Sequence, residues 1–236
     1  MTTHRTVVIT GASGGIGAAL ARRCVAEGQQ VALLARRPGP LDLLVAELGP
    51  LARAYPCDLT DAIAVTTVAA AVTTDFGGAP DTLVNNAGLF LLERVDCMSP
   101  TDFSAILQTN LVAPFLLTRA LLPAMRERGN GTVVTLGSIA DRSVFPQNGA
   151  YAASKYGLRA LHEAMRAELR GSGVRTVLVS PGAVDTPLWD NLNPDARPGF
   201  TPRAEMLSAD DVADAIWFAM SRNASVNIDE LRLSRS

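Results

Sequence analysis

Lysine is almost missing from this chain. Of its 21 basic residues one, Lys155, is a lysine and the rest are arginines. Histidine is nearly as scarce, His4 and His162 alone, and neither has an acid and a nucleophile near it in sequence, which argues against Ser/His hydrolysis. No His/Cys/Asp grouping has the spacing of a metal site. Cys24, Cys57 and Cys97 are an odd, scattered set without a disulfide pattern, so a reducing, cytoplasmic setting is expected. No apolar run is expected to reach the roughly 18 residues that span a bilayer. Met1–Thr6 leads directly into a strand-like segment and is expected to leave no room for a signal peptide. A formal net charge of -2 supplies no field to steer nucleic acid or anionic membrane. With 48% hydrophobic residues the 236-residue chain can bury a large core, and one domain over residues 1–236 is expected.

Strand-like and helix-like segments alternate from end to end. The strands are expected at Val7–Thr10, Gln30–Ala35, Arg53–Tyr55, Thr82–Asn85, Thr132–Leu136, Arg175–Val179 and Val226–Leu233. Helices are expected at Gly15–Glu27, Leu41–Leu48, Asp61–Phe76, Pro100–Arg128, Ala150–Arg170 and Ala209–Met220. Several strands are apolar throughout, as strands of a parallel sheet covered on both faces must be. The pattern implies an α/β fold, a Rossmann-type doubly wound parallel sheet of about seven strands flanked by helices. One irregular stretch, Ala183–Leu207, is longer than a compact domain usually tolerates unless it serves as a lid or binding loop, the alternative being a disordered insertion.

Thr10-Gly11-Ala12-Ser13-Gly14-Gly15-Ile16-Gly17 closes the first strand and opens the first helix. Glycines there permit a tight turn and bring backbone N–H groups, at the positive end of a helix, against a pyrophosphate. Gly11, Ser13, Gly15, Ile16 and Gly17 are therefore candidate ligands of a dinucleotide. An acid that takes the ribose 2′-OH of NAD is expected at the end of the second strand, yet the chain reads Ala35-Arg36-Arg37. Two guanidinium groups suit a 2′-phosphate, so NADP(H) is favoured over NAD(H).

Tyr151 and Lys155 stand four apart on one face of a helix. An adjacent positive charge favours a phenolate, and such a pair can move a proton to or from a carbonyl or alcohol oxygen. Tyr156 points about 100° away and is expected to pack. Ser138 lies at the end of an apolar strand, where ligands of such sheets sit, and its hydroxyl can polarise the same oxygen. Asn110 falls inside the helix that Ser99 caps and Pro100 enters. Pro114, four residues on, has no N–H for the carbonyl of Asn110.

Thr10–Gly17, Asp58-Leu59, Asn85-Asn86-Ala87-Gly88, Asn110, Ser138, Tyr151, Lys155 and Pro181-Gly182-Ala183-Val184-Asp185-Thr186 together resemble the short-chain dehydrogenase/reductase family over essentially the whole length. The resemblance implies that Asp58 and Leu59 hold the adenine. It places Asn85, Asn86, Ala87 and Gly88 against the adenosine half, and Pro181, Gly182, Val184 and Thr186 around the nicotinamide. By the same resemblance Tyr151 is the acid/base and Ser138 orients the carbonyl. Lys155 binds the nicotinamide ribose and lowers the tyrosine pKa, and the Asn110 carbonyl holds a relay water. The implied activity is reversible hydride transfer between NADP(H) and a small-molecule ketone or aldehyde and its alcohol. Two alternatives are an NADP(H)-binding regulatory protein without turnover and a nucleotide-sugar epimerase or dehydratase. Helices Pro100–Arg128 and Ala150–Arg170 are apolar on more than one face, and relatives pair through them, so a homo-oligomer, tetramer or dimer, is expected. Leu89–Arg94, Ile139–Gln147 and Ala183–Leu207 are expected to wall the substrate, with Phe145 and Trp189 as apolar contacts.

Overall fold

Residues 5–236 are described by the computed structural model, and His4 lies outside the described residues. Seven strands make one parallel sheet: β1 Thr6–Thr10, β2 Gln30–Ala35, β3 Ala52–Pro56, β4 Thr82–Asn85, β5 Gly131–Leu136, β6 Val174–Pro181 and β7 Glu230–Leu233. Their order is β3-β2-β1-β4-β5-β6-β7. Side chains alternate between the two faces, as the period of a strand demands. Val7, Ile9, Leu33 and Val84 enter one core layer, under helices α1 Gly15–Ala26, α2 Pro38–Leu48 and α7 Ala209–Met220. Val8, Leu34, Leu83 and Val133 enter the other, under α3 Ala62–Asp75, α5 Ala113–Arg128 and α6 Gly149–Glu168. Both faces being covered, β1, β4 and β5 are buried at every position. The chain runs outward from β1 in one direction and from β4 in the other. The crevice at the carboxyl ends of β1 and β4 is thus the switch point where ligands of such sheets bind.

Four expectations need correction. The last strand is shorter than Val226–Leu233, because the Asn227 side chain, not backbone, donates to the Thr176 carbonyl of β6 (3.2 Å). The helix expected over Pro100–Arg128 is α4 Pro100–Leu107, a π-helical turn Gln108–Val112, and α5. Pro114 breaks the ordinary register, and the backbone widens so that Ala113 N–H reaches the Gln108 carbonyl. That 29-residue run contains an 18-residue window of mean hydropathy 1.4, long and apolar enough by length and composition to cross a membrane, contrary to expectation. Ile106, Leu117, Leu121 and Met125 within it are buried in this fold, as in the core helix of a globular domain. Tyr156, finally, is 44% exposed on the outer face of α6 rather than packed.

Ser99 caps α4 as its position suggested, its Oγ accepting from Asp102 N–H at 3.0 Å. The segment Ala183–Leu207 is closed at its base by a bridge between Val184 and Leu207, and holds three short 3-10 turns, Pro187–Trp189, Pro194–Ala196 and Arg203–Glu205.

Candidate active site

The glycine turn lies flat against the end of β4. Gly11 has φ 65°, and a Cβ there would fall 2.8 Å from Ala87 Cα. A Cβ on Gly17 would meet the Gly11 carbonyl at 2.4 Å, so neither position admits a side chain. Gly14 caps α1 without any side-chain hydrogen bond, which leaves first-turn N–H groups facing outward beside Ser13 and Gly15. Ile16 packs against the core, so what it offers a ligand is backbone. Asn86 ties the turn down. Its Nδ2 donates to the Thr10 carbonyl (2.8 Å) and the Gly11 carbonyl (3.3 Å). Thr10 Oγ1 accepts from Asn86 N–H (2.9 Å) and Ala87 N–H (3.0 Å).

Along the β2 edge, Arg36 and Arg37 are exposed, and neither guanidinium makes a hydrogen bond or ion pair within the described residues. Asp58, beyond β3, is held below the usual carboxylate range by the Thr60 N–H and hydroxyl (3.0 and 2.7 Å), with Arg36 adding to the effect. Leu59 is half-buried beside it. Asn85 is buried, and its amide donates to Thr118 Oγ1 of α5 at 3.0 Å. Ala87 and Gly88 border the crevice, and Gly88 approaches the Asn110 side chain.

At the carboxyl end of β5 the chemical residues converge. Lys155 is 4% exposed and donates to the Leu136 carbonyl at 2.8 Å, with Nζ 5.6 Å from the Tyr151 ring centroid. Burial pushes its ammonium down to about 8, against the opposing pull of Asp141. The Tyr151 phenol is pushed up to about 12 by burial, which outweighs the hydrogen bond from Ser138, and Asp141 raises it further. This reverses the lowering expected from the Tyr/Lys spacing, because desolvation of the phenolate is the larger effect. Ser138 is 9% exposed and its Oγ accepts from Ala140 N–H at 3.1 Å.

Asn110 is fully buried, and its side chain is wholly occupied. Oδ1 accepts from Leu89 N–H (2.7 Å), while Nδ2 donates to the Leu89 carbonyl (2.9 Å) and to Ser154 Oγ (3.0 Å). Ser154 in turn donates to the Tyr151 carbonyl at 2.7 Å. The amide thus clamps the loop after β4 to the helix that carries Tyr151.

Asp141 was missed, although Ser138-x-x-Asp141 has the spacing of a capping box. Its carboxylate has no exposed surface, accepts from Ser180 Oγ and pairs with Arg142 at 2.7 Å. Pro181, Gly182 and Val184 continue from β6, Gly182 N–H donating to the Leu233 carbonyl at 2.8 Å. Thr186 reaches back to the glycine turn, its Cγ2 lying 3.0 Å from where a Gly15 Cβ would be. Trp189 stands at the mouth, whereas Phe145 is 50% exposed.

This chain matches the short chain dehydrogenase family over residues 5–197. It belongs to that family. A D-threitol dehydrogenase of Mycolicibacterium smegmatis is 34% identical over 229 residues, 94% of this chain and 88% of its own. Serine 3-dehydrogenase of Agrobacterium fabrum is 33% identical over 232 residues, 97% of this chain and 92% of its own. Among solved structures, a metagenomic short-chain oxidoreductase in complex with NADP superposes with a TM-score of 0.85 at 32% identity, covering 98% of this chain and 97% of that one. As a short-chain dehydrogenase, the protein is an oxidoreductase acting on CH–OH groups.

Proposed function

We propose that this short-chain dehydrogenase moves a hydride between NADP(H) and a small carbonyl compound or its alcohol, with Tyr151 as acid/base. The observation that carries the reading is the meeting of Ser138, Tyr151 and Lys155 at one strand end, across the crevice from a glycine turn that excludes side chains. The residues present fit the dinucleotide. The open first turn of α1, with Gly11, Ser13, Gly15, Ile16 and Gly17, would hold the pyrophosphate. Arg36 and Arg37, unpaired, would take the 2′-phosphate, and Asp58 and Leu59 the adenine. Ala87, Gly88 and the backbone of Asn85 would border the adenosine ribose. Pro181, Gly182, Val184 and Thr186 would border the nicotinamide.

When bound, NADP(H) supplies the hydride and its acceptor. The chain supplies the proton and the orientation. Tyr151 gives its phenolic proton to a carbonyl oxygen in reduction, and takes it back in oxidation. Its raised pKa keeps it protonated at neutral pH, ready for reduction. Ser138 donates to the same oxygen. Lys155, with Nζ 5.6 Å from the Tyr151 ring centroid, would restore the tyrosine proton, and the Asn110 carbonyl, which Pro114 cannot partner in ordinary helical register, is the candidate holder of a relay water.

Exposed Phe103, Phe115 and Tyr156 on α4, α5 and α6 support association with further copies of the chain as a dimer or tetramer. Three free cysteines support a reducing, cytoplasmic setting. Tyr151→Phe is the test. Turnover should fall by at least about a hundredfold while NADPH binding, followed by fluorescence, stays intact. A variant with normal kcat refutes the reading.

A further inference from the structure

Four aromatic rings run in sequence from the reacting phenol to the rim. Tyr151 meets Phe90 edge-on at 4.7 Å, Phe90 meets Trp189 at 5.1 Å, and Trp189 meets Phe200 at 6.5 Å. Trp189 is pinned on both sides. Its Nε1 donates to the Val184 carbonyl at 3.0 Å. Arg203 clasps the turn that carries it, pairing with Asp185 and Asp190 at 2.6 Å each.

Of the four arginines in the walls 89–94, 139–147 and 183–207, three are already held by carboxylates, and Lys155, beside the Tyr151 ring, donates to the Leu136 carbonyl. A substrate carboxylate beside the reacting carbon needs a cation of the chain to meet it, since burying an unpaired charge is costly. Arg94 is taken by Asp96 through two 2.9 Å bonds. Arg142 is taken by Asp141 and Glu230, and Arg203 by its two aspartates. Arg197, the one arginine of these walls without a carboxylate partner, lies 5.7 Å over the Phe200 ring at the outer rung. The segment 183–207 holds Asp185, Asp190, Asp195 and Glu205 against two arginines. Asp141 adds a buried negative charge behind Ser138.

Resting on the proposed hydride transfer, we infer that the substrate is an uncharged aryl ketone or aldehyde, or the matching alcohol, its ring seated against Phe90 and Trp189. Edge-to-face geometry is what an added ring extends most readily. Such a substrate differs from the serine and D-threitol for which the two relatives are named.

Initial rates with NADPH test this on acetophenone and benzaldehyde against acetoacetate. With NADP+ they test it on 1-phenylethanol against L-serine and D-threitol. The aryl compounds should lead by about tenfold or more in kcat/KM, and Trp189→Ala should erase most of that lead while Trp189→Phe restores it. An equal or higher kcat/KM for acetoacetate, serine or threitol overturns the inference, and leaves hydride transfer standing. The second arm needs no turnover. In Tyr151→Phe holding NADP+, acetophenone should quench tryptophan fluorescence saturably, the change should vanish in Trp189→Phe, and acetoacetate should have no effect. Saturable binding of acetoacetate without binding of acetophenone overturns the inference whichever way the Tyr151 test falls.

Discussion

Ser180 donates a 2.5 Å hydrogen bond to Asp141 directly behind Gly137, where an added Cβ would lie 2.5 Å from that carboxylate. Ser138 N–H also points at the carboxylate, at 3.4 Å. One buried charge therefore holds the serine turn and raises the pKa of both Tyr151 and Lys155. Asp141→Asn keeps the shape and an acceptor but removes the charge. The limb of the kcat/KM–pH profile set by Lys155, about 8 in this fold, should then move to lower pH. A merely structural role would lower kcat/KM equally at every pH and leave that limb in place. Asp141→Ala should in addition destabilise the fold by about 1–3 kcal/mol, because the buried Ser180 hydroxyl loses its acceptor while Arg142 keeps Glu230.

Cofactor choice rests on Arg36 and Arg37. Both are exposed and make no hydrogen bond or ion pair within the described residues, so replacing them breaks no internal bond, and Asp58 keeps the Thr60 bonds that chiefly hold its carboxyl. Arg36→Asp removes a charge-assisted bond to a 2′-phosphate and places an acid where NAD needs one. The ratio of kcat/KM for NADP+ over NAD+ should fall by about 10–100-fold, as expected for one such bond. Unchanged preference in steady-state assays with both cofactors would assign the selectivity elsewhere.

Lys155→Arg tests the single lysine of the chain. The ammonium is enclosed between the Tyr151 ring and the Leu136 carbonyl, in a place with room for a compact head. Guanidinium is planar, larger and never gives up its proton, so it cannot reproduce an ammonium of pKa about 8. Turnover should drop by at least about a hundredfold with the fold retained by circular dichroism. Full activity in the arginine variant would mean that charge alone suffices.

The uneven legibility of this molecule in its sequence follows from chain distance. β1, β2 and β4 lie within a residue of where their apolar runs put them, since strands covered on both faces carry a continuous signal. Motifs compact in sequence, such as Gly11–Gly17 and Tyr151–Lys155, also lie together in space. Contacts between distant segments left no such trace. Phe90 and Tyr151, and Asp141 and Ser180, meet only because the sheet aligns its carboxyl ends, and Arg203 meets Asp185 only because the Val184–Leu207 bridge closes their loop. The Tyr151 pKa shows the same limit: spacing reveals the charge beside it, but burial, the larger effect, is a property of the fold.

His162 carries a prediction about stability. It is 2% exposed on α6, its Nδ1 lies 3.0 Å from Thr135 Oγ1, and its Nε2 has no partner. Burial, with help from Arg166, pushes its pKa down to about 4, opposed weakly by Glu163, Glu230 and Asp229. The unfolded chain would bind this proton near pH 6.5, so between those values the unfolded state holds more protons than the folded one. Stability from the neutral imidazole is thus complete above pH 6.5 and is lost as pH falls toward 4, by up to about 3 kcal/mol. Urea unfolding of wild type and His162→Gln at pH 7.5, 6 and 5 measures this. The wild type should lose more stability than the variant across that interval, so the two curves should converge toward acid. Parallel curves would mean that His162 titrates alike folded and unfolded, and that the acid limb belongs to the carboxylates.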